Sequence, residues 1–292
     1  VVKKYSELYL EARRALLPTE PERAGFLARE LLACAAERRV EEILANRELY
    51  ASEQTERKLS ELLDRALEGE PLAYILGRWP FHGLELTITP DVLIPRDDTE
   101  VVAELAIHAL KKAGTEKPRV LDLCTGSGCI GLAIASEIPD ARVTLGDISD
   151  AALHVARQNI QNLYMTGRVK ALKIDATQSP DPFLGKFDLI TANPPYITTA
   201  EMETLEPSVR DYEPHLALWG GEDGLDFYRA ILSAYRPVLR KGGFLAFEVG
   251  AGQDQAVCAL IQNQDLEILK VKQDLGGIPR GVLAWFPREE DY

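Results

Sequence analysis

From Arg119 onward, short apolar runs alternate with stretches of helical periodicity, and no other feature of the chain restricts its fold as much. "RVLDL" leads into "CIGLAIASEI", "ARVTLGDI" into "DAALHVARQNIQNL", "RVKALKI" into a loop, and "FDLITA" into two consecutive prolines. A helical stretch from Asp226 to Leu239, the run "GFLAFEV", a helix near Gln253 to Gln262, and the late runs "LEILKVKQD" and "GVLAWF" follow. Strands joined by crossover helices pair in parallel, because the helix carries the chain back to the end of the sheet it left. The pattern predicts an α/β fold with a doubly wound, mostly parallel sheet. In such sheets ligands bind beyond the carboxyl ends of the strands.

The part before this sheet has a different period. Tyr5, Leu8, Tyr9, Ala12, Ala15 and Leu16 fall at helical spacing, as do Leu59, Leu62, Leu63, Ala66 and Leu67, and Pro18, Pro21 and Gly69 punctuate them. Further on, Leu84, Leu86 and Ile88 alternate with Glu85 and Thr87 between Gly83 and Pro90, the signature of a half-buried strand in a hairpin. Helix resumes at "DDTEVVAELAIHALKKAG", where Asp97 and Glu100 have capping-box spacing and Gly114 marks the end. With 292 residues, near the size at which single cores stop growing, a second domain is expected. The boundaries read as a small all-α domain over 1–72, a β-hairpin linker over 73–96 and the sheet domain over 97–292.

Composition removes several classes of function. A net charge of −13 opposes the basic stripe that phosphate neutralisation needs, so no stable nucleic acid partner is expected. No apolar run is long enough to span a bilayer, and the charged, helical start has no signal-peptide centre, which points to a soluble cytoplasmic chain without membrane attachment. Cys34, Cys124, Cys129 and Cys258 form no CxxC and have no nearby His, so they read as buried free thiols, with no metal site. His82, His108, His154 and His215 are scattered and take no catalytic role.

The loop after the first strand of the alternation, "VLDLCTGSGCIG", holds Gly126, Gly128 and Gly131 in G-x-G-x-x-G spacing. Glycines there let the backbone turn tightly beside a ligand, at the N-terminus of a helix with free N–H groups. Asp147 closes the second strand nineteen residues after Gly128, where a carboxylate can accept both hydroxyls of a ribose. The combination indicates an adenosine cofactor. Asp122, just before the loop, suits a cationic cofactor such as S-adenosylmethionine over a pyrophosphate, by charge; a structural hydrogen bond to the turn accounts for it as well.

At "ITANPPYI" the chain ends a strand with Asn193, Pro194 and Pro195. Proline gives no N–H to a ladder and holds its predecessor extended, so the backbone leaves the sheet with carbonyls free to accept. A strand-terminating turn is the plain alternative.

"DLCTGSGCIGLAIA", "VTLGDIS", "FDLITANPPYI" and "GGFLAFEVG" resemble the core of class I S-adenosylmethionine-dependent methyltransferases, whose sheet is seven-stranded and Rossmann-like. "PLAYILGRWPFHGLELTITPDVLIPRDDTE", "NPPYI" and "YEPHLALWGGEDGLDFYRAI" resemble, more narrowly, the release factor glutamine methyltransferases, and this similarity runs over nearly the whole chain. Asp97 stands where that family usually has a second proline, and Cys124 where it often has glycine. The resemblance implies methyl transfer from S-adenosylmethionine, leaving S-adenosylhomocysteine, to N5 of the glutamine in the Gly-Gly-Gln motif of class I peptide chain release factors. It also implies a role in translation termination, and a monomer is expected.

On that reading the Asn193 side-chain oxygen and the Pro194 carbonyl accept the two N–H bonds of the glutamine, and Tyr196 packs its ring on the glutamine side chain beside Pro195, with its hydroxyl finding a polar partner. Cofactor contacts fall to Asp122, Cys124, Thr125, Gly126, Ser127, Gly128, Asp147, Ile148, Asp175, Ala176 and Asn193. Asp175 and Ala176 are expected beside the adenine, although Asp175 also reads as a loop cap. Arg96, Glu206, Arg210 and Tyr212 are candidates for substrate contact, with an acid inside the protein or an interdomain ion pair as the alternatives for Arg96. "GGEDG" at 220–224 reads as a flexible turn. Rival readings are a glutamine methyltransferase of a ribosomal protein, an adenine-N6 or guanine-N2 methyltransferase of nucleic acid, a nicotinamide oxidoreductase, and a binding protein without catalysis. Asp98-Thr99-Glu100 favours release factors over the first, and the acidic balance disfavours the second.

Overall fold

The computed structural model describes residues 2–288. The chain divides into two compact units, with the boundary between Arg78 and Trp79. The first unit is helical: α1 (Tyr5–Leu16), α2 (Ala24–Ala36), α3 (Val40–Ala45), α4 (Glu53–Leu67) and α5 (Leu72–Leu76). Tyr5, Leu8, Ala12 and Leu16 form the buried stripe of α1, and Leu27, Leu31 and Leu32 that of α2. The Ser52 hydroxyl accepts from Thr55 N and starts α4. Residues 72–76, which the strand pattern places at the edge of the linker, form α5 because Leu72, Ala73, Tyr74 and Ile75 are buried together and Gly77, at φ 68°, ends the turn.

The boundary falls after the first residue of β1 (Arg78–Phe81), which forms a hairpin with β2 (Leu84–Thr87), and the turn residues His82 and Gly83 have φ of 47° and 75°. Two successive left-handed residues match the twist of a tight hairpin. Then comes α6 (Asp97–Ala113), closed by Gly114 at φ 63° as expected. Its start differs from the capping box read in the sequence. Arg96 is the N-cap, and the Glu100 carboxylate accepts from His82 N at 2.7 Å, tying the helix to the hairpin turn.

The sheet and its helices run β3 (Arg119–Leu123), α7 (Cys129–Glu137), β4 (Arg142–Asp147), α8 (Asp150–Asn162), β5 (Val169–Lys173) and β6 (Phe187–Ala192). Two short helices, α9 (Thr199–Met202) and α10 (Pro207–Arg210), precede α11 (Asp226–Tyr235), β7 (Leu239–Glu248), α12 (Asp254–Gln262), β8 (Glu267–Gln273) and β9 (Pro279–Trp285). The seven strands lie in the order β5-β4-β3-β6-β7-β9-β8. All pairs from β5 to β7 are parallel, and β9 is antiparallel to both β7 and β8. The expected doubly wound, mostly parallel sheet is therefore present.

Leu121, Leu123, Phe187, Ile190, Phe247 and Tyr228 fill the core on one face, and the Tyr228 and Phe247 rings meet edge to face at 5.5 Å. Each such side chain contributes about 1.5–3 kcal/mol by leaving water. The helix read to Leu239 stops at Tyr235, because Pro237 cannot continue it, and β7 starts at Leu239. The four cysteines are free, and each is half-buried rather than fully enclosed.

Candidate active site

Strands β3, β4, β5 and β6 end at one edge of the sheet, and the chain order reverses between β3 and β6. This is the switch point at which an open α/β sheet leaves a crevice. After Leu123 the backbone turns left-handed at Cys124 (φ 52°), Gly126 (φ 53°) and Gly128 (φ 88°) before α7 begins. Cys124 thus holds a conformation that costs a side-chain-bearing residue about 1–2 kcal/mol. Gly131 serves packing instead: a Cβ there would lie 2.2 Å from Leu145 Cδ2, so α7 rests directly on β4.

Asp122 does not face the ligand side. It is 1% exposed, its Oδ2 accepts from Thr125 Oγ1 and from Gly131 N at 3.2 Å, and its Oδ1 accepts from Thr191 Oγ1 at 2.7 Å. Burial pushes its carboxyl up to about 6 against these three donors. The charge argument drawn from Asp122 therefore gives way to its alternative, a structural bond that ties the glycine loop to β6.

Asp147 ends β4 with its Oδ2 accepting from Gly126 N at 2.9 Å and its Oδ1 from Ser149 N at 3.0 Å. Burial raises its pKa, and the N–H groups of Ser149, Gly126 and Ile148 oppose that shift. Each oxygen keeps a second lone pair, and the side chain is only half-buried, so both ribose hydroxyls can still be accepted. Asp175 caps its own loop through Thr177 N at 2.9 Å and Thr177 Oγ1 at 2.6 Å.

A cavity of about 290 Å³ opens over these strand ends. Cys124, Thr125, Gly126 and Ser127 form one wall, Asp147 and Ile148 a second, and Asp175 and Ala176 a third. Asn193 and Pro195 close the remaining side. Asp122, Gly128, Pro194 and Tyr196 lie behind the lining. Asp91, Asp147 and Asp175 supply carboxylates to the wall, and among the described residues no Lys or Arg lines it.

Ala192 is the last residue of β6 in register with β3 and β7, so Asn193, Pro194 and Pro195 stand beyond the ladder. Asn193 Nδ2 lies 3.5 Å from Thr99 Oγ1, in the first turn of α6. With its nitrogen toward that helix, the carboxamide keeps Oδ1 for another donor. Tyr196 is not on the cavity wall, and its hydroxyl has the polar partner expected of it. Its hydroxyl lies 3.4 Å from Glu248 Oε1, its carbonyl accepts from Gln253 Nε2 at 3.0 Å, and it anchors the turn from behind.

The segment at 220–224, read as a flexible turn, is buried at Gly220, Gly221 and Gly224. A Cβ on Gly220 would lie 2.6 Å from the Pro195 oxygen, so this backbone props the prolines. Ile197 N donates to Leu218 O, Gly220 N to Ile197 O and Thr199 N to Gly221 O, which closes the base of the loop between them.

Arg96 pairs with the buried carboxylate of Glu213, and Glu213 Oε2 accepts from Ile94 N at 3.2 Å. Arg96 thus binds an acid inside the protein, and since both partners belong to the second unit the pair is not an interdomain one. Glu206 is the N-cap of α10, Arg210 is exposed and paired with Asp211 at 2.7 Å, and Tyr212 is half-buried. None of the three lines the cavity.

Residues 95–211 match the Methyltransferase small domain family and residues 7–77 the PrmC N-terminal domain family. A release factor glutamine methyltransferase of Clostridium acetobutylicum is 37% identical over 242 residues, 83% of this chain and 84% of that protein. The chain belongs to the release factor glutamine methyltransferase family. A second member, from Moorella thermoacetica, is 42% identical over 248 residues, 85% of this chain and 86% of that protein. A methyltransferase of known structure from Pyrococcus furiosus aligns with a TM-score of 0.52 at 18% identity, over 78% of this chain and 100% of that one, a likeness of fold.

Sequence reasoning missed several residues of the cavity in this release factor glutamine methyltransferase family member. Val92, Leu93 and Pro95 come from the segment between β2 and α6, Pro214, Leu216 and Ala217 from the loop after α10, and Phe227 from α11. "PDVLIPRD" carried a usable signal: apolar residues with neither helical nor strand period need some wall to cover. Phe227 gave none, because it shares a helix with the buried stripe of Tyr228, Ile231, Leu232 and Tyr235.

Proposed function

We propose that this protein methylates the side-chain amide nitrogen of a glutamine in a peptide chain release factor, with S-adenosylmethionine as donor. The single observation that carries the reading is the shared cavity, in which a carboxylate-lined adenosine site without basic residues runs into Asn193 and Pro195. Carboxylates attract a sulfonium and an ammonium and repel a pyrophosphate, so the donor set fits this cofactor and not a nicotinamide dinucleotide. Asp147 would hold the ribose, and Ile148 and Ala176 would enclose the adenine. When bound, S-adenosylmethionine would supply an electrophilic methyl carbon, with S-adenosylhomocysteine as the leaving group as the S–C bond is exchanged for an N–C bond.

An amide nitrogen is a weak nucleophile because its lone pair is delocalised into the carbonyl. Asn193 Oδ1 and the Pro194 carbonyl would each accept one N–H of the glutamine and draw the nitrogen toward tetrahedral geometry, with its lone pair facing the methyl carbon. The nitrogen sheds one proton to solvent once the new bond has formed. Alignment in a site walled by apolar side chains supplies most of the acceleration. Pro194 would take part through its backbone carbonyl alone, between the lining residues Asn193 and Pro195.

The test is transfer of a labelled methyl group to a purified release factor and to the same factor with its Gly-Gly-Gln glutamine changed. Label on the first alone is expected. Label on ribosomal protein or RNA instead would overturn the substrate assignment.

A further inference from the structure

Glu248 is the last residue of β7, is 2% exposed, and its Oε2 has no hydrogen-bond partner among the described residues. A carboxyl buried with one oxygen unpaired costs stability, and such a group calls for an explanation. Its surroundings point to one. The Tyr196 hydroxyl lies 3.4 Å from its Oε1, and the Thr99 hydroxyl is near enough to favour its charged form. Thr99 Oγ1 is also 3.5 Å from Asn193 Nδ2. Thr99 is 1% exposed and lies on the cavity wall. One hydroxyl therefore stands between the buried acid and the carboxamide at the reacting end of the cavity.

A carboxamide can face the cavity with either end, and only its oxygen can accept an N–H from the substrate. An ionised carboxylate only accepts. It draws the Thr99 hydroxyl proton toward itself and leaves the Thr99 oxygen lone pairs for Asn193 Nδ2. We propose that Thr99 and Glu248 are positioning residues that fix Asn193 with Oδ1 toward the acceptor nitrogen. Once Glu248 is protonated, the Thr99 hydroxyl is released to donate to Asn193 instead, and the carboxamide can present its NH2 end, which repels the substrate N–H.

Several charged or titratable groups act on Glu248. Asp98 of α6, Arg280 of β9 and Tyr196 are near it, and Tyr228 of α11 and Cys129 of α7 feel its charge. Arg280 is shared between Asp274 at 3.0 Å and Asp98 at 3.3 Å, so it does not neutralise Glu248 alone. Burial dominates and raises the Glu248 pKa to about 7, while Thr99, Arg280 and Tyr196 favour the charged form. The exchange between the two carboxamide settings thus falls near neutral pH.

The inference rests on the proposed amide substrate, and its test separates the two. Thr99→Val is expected to lower kcat for release factor methylation about 10- to 100-fold, as misplaced reacting groups do, with S-adenosylmethionine affinity by calorimetry unchanged. Thr99→Ser should restore kcat to within about threefold. The parent should lose kcat along a one-proton limb as pH falls through about 7, and Glu248→Gln should remove that limb. In the free protein, with no acceptor present, the 15N side-chain amide resonance of Asn193, assigned with Asn193→Ala, should shift over the same pH range and stay constant in Glu248→Gln. A parent that methylates no release factor but shows this resonance shift would sink the substrate assignment and keep the positioning role. Unchanged kcat in Thr99→Val, loss of cofactor affinity in step with kcat, or a resonance that ignores Glu248→Gln would overturn it.

Discussion

A Cβ added at Gly131 would lie 2.2 Å from Leu145 Cδ2, inside any permitted contact. Leu145 is fully buried in β4, so its methyl has nowhere to go. Gly131→Ala is expected to destabilise the second unit by about 1–3 kcal/mol, the usual cost of overpacking. Thermal unfolding would register this as a fall of several degrees. An unchanged midpoint would mean that α7 shifts off the strand at no cost.

Asp147 should matter to the cofactor more than to the fold. Asp147→Asn removes the charge and one acceptor while keeping the volume, and the lost charge-assisted bonds are worth about 1.5–3 kcal/mol. Cofactor affinity measured by calorimetry is therefore expected to weaken roughly 10- to 100-fold. Affinity within twofold of the parent would place the ribose elsewhere.

Asn193→Ala separates chemistry from binding. Removing one acceptor aimed at a developing charge lowers turnover by about 100- to 1000-fold in comparable sites. Cofactor affinity should hold, because Asp147 and the glycine loop remain. Parallel loss of both would assign Asn193 a structural task.

Glu248 should leave a mark on stability as well. Its pKa is raised by burial from 4.5 to about 7, so the folded state binds the proton more tightly than the unfolded chain does. Stability from this group is complete below pH 4.5 and declines as pH rises through about 7. At about 1.4 kcal/mol per pH unit between the two values, the full difference is about 3 kcal/mol. Urea unfolding is expected to show Glu248→Gln gaining on the parent from pH 5 to pH 8. An equal difference at both pH values would show that the carboxyl is not strained.

The sheet was legible because its strands are short, apolar and separated by helices with clear ends. The place of Gly126, Asp147 and Asn193 was legible too, since each follows or ends a strand and all three line one cavity. What could not be read depends on which neighbour a side chain meets. Asp122 looked like a ligand group from its place in the chain, and only the register of β3 with β6 shows that Thr191 takes its oxygen. Glu100 fitted a capping box, but the hairpin turn at His82 offers its N–H in competition. Asn159, 1% exposed, binds Thr87 N at 2.7 Å and Ser127 O at 2.9 Å, joining hairpin to cofactor loop across a distance no local pattern spans. Glu248 was passed over as part of an apolar run.

The hydrogen bonds that pair Ile197, Thr199 and Gly220 with their neighbours act as a clasp under everything between them, and the Arg96–Glu213 pair secures the far side. Residues 200–212 are thus spanned by bonds made on either side of them, and Glu213 N to Val209 O and the His215 ring near Arg210 O tie the end of the stretch to its base. The turn at 193–196 is braced from outside the stretch, so substitutions on its exposed side are expected to leave donor affinity unaltered, and one that weakens it would show the clasp to be incomplete.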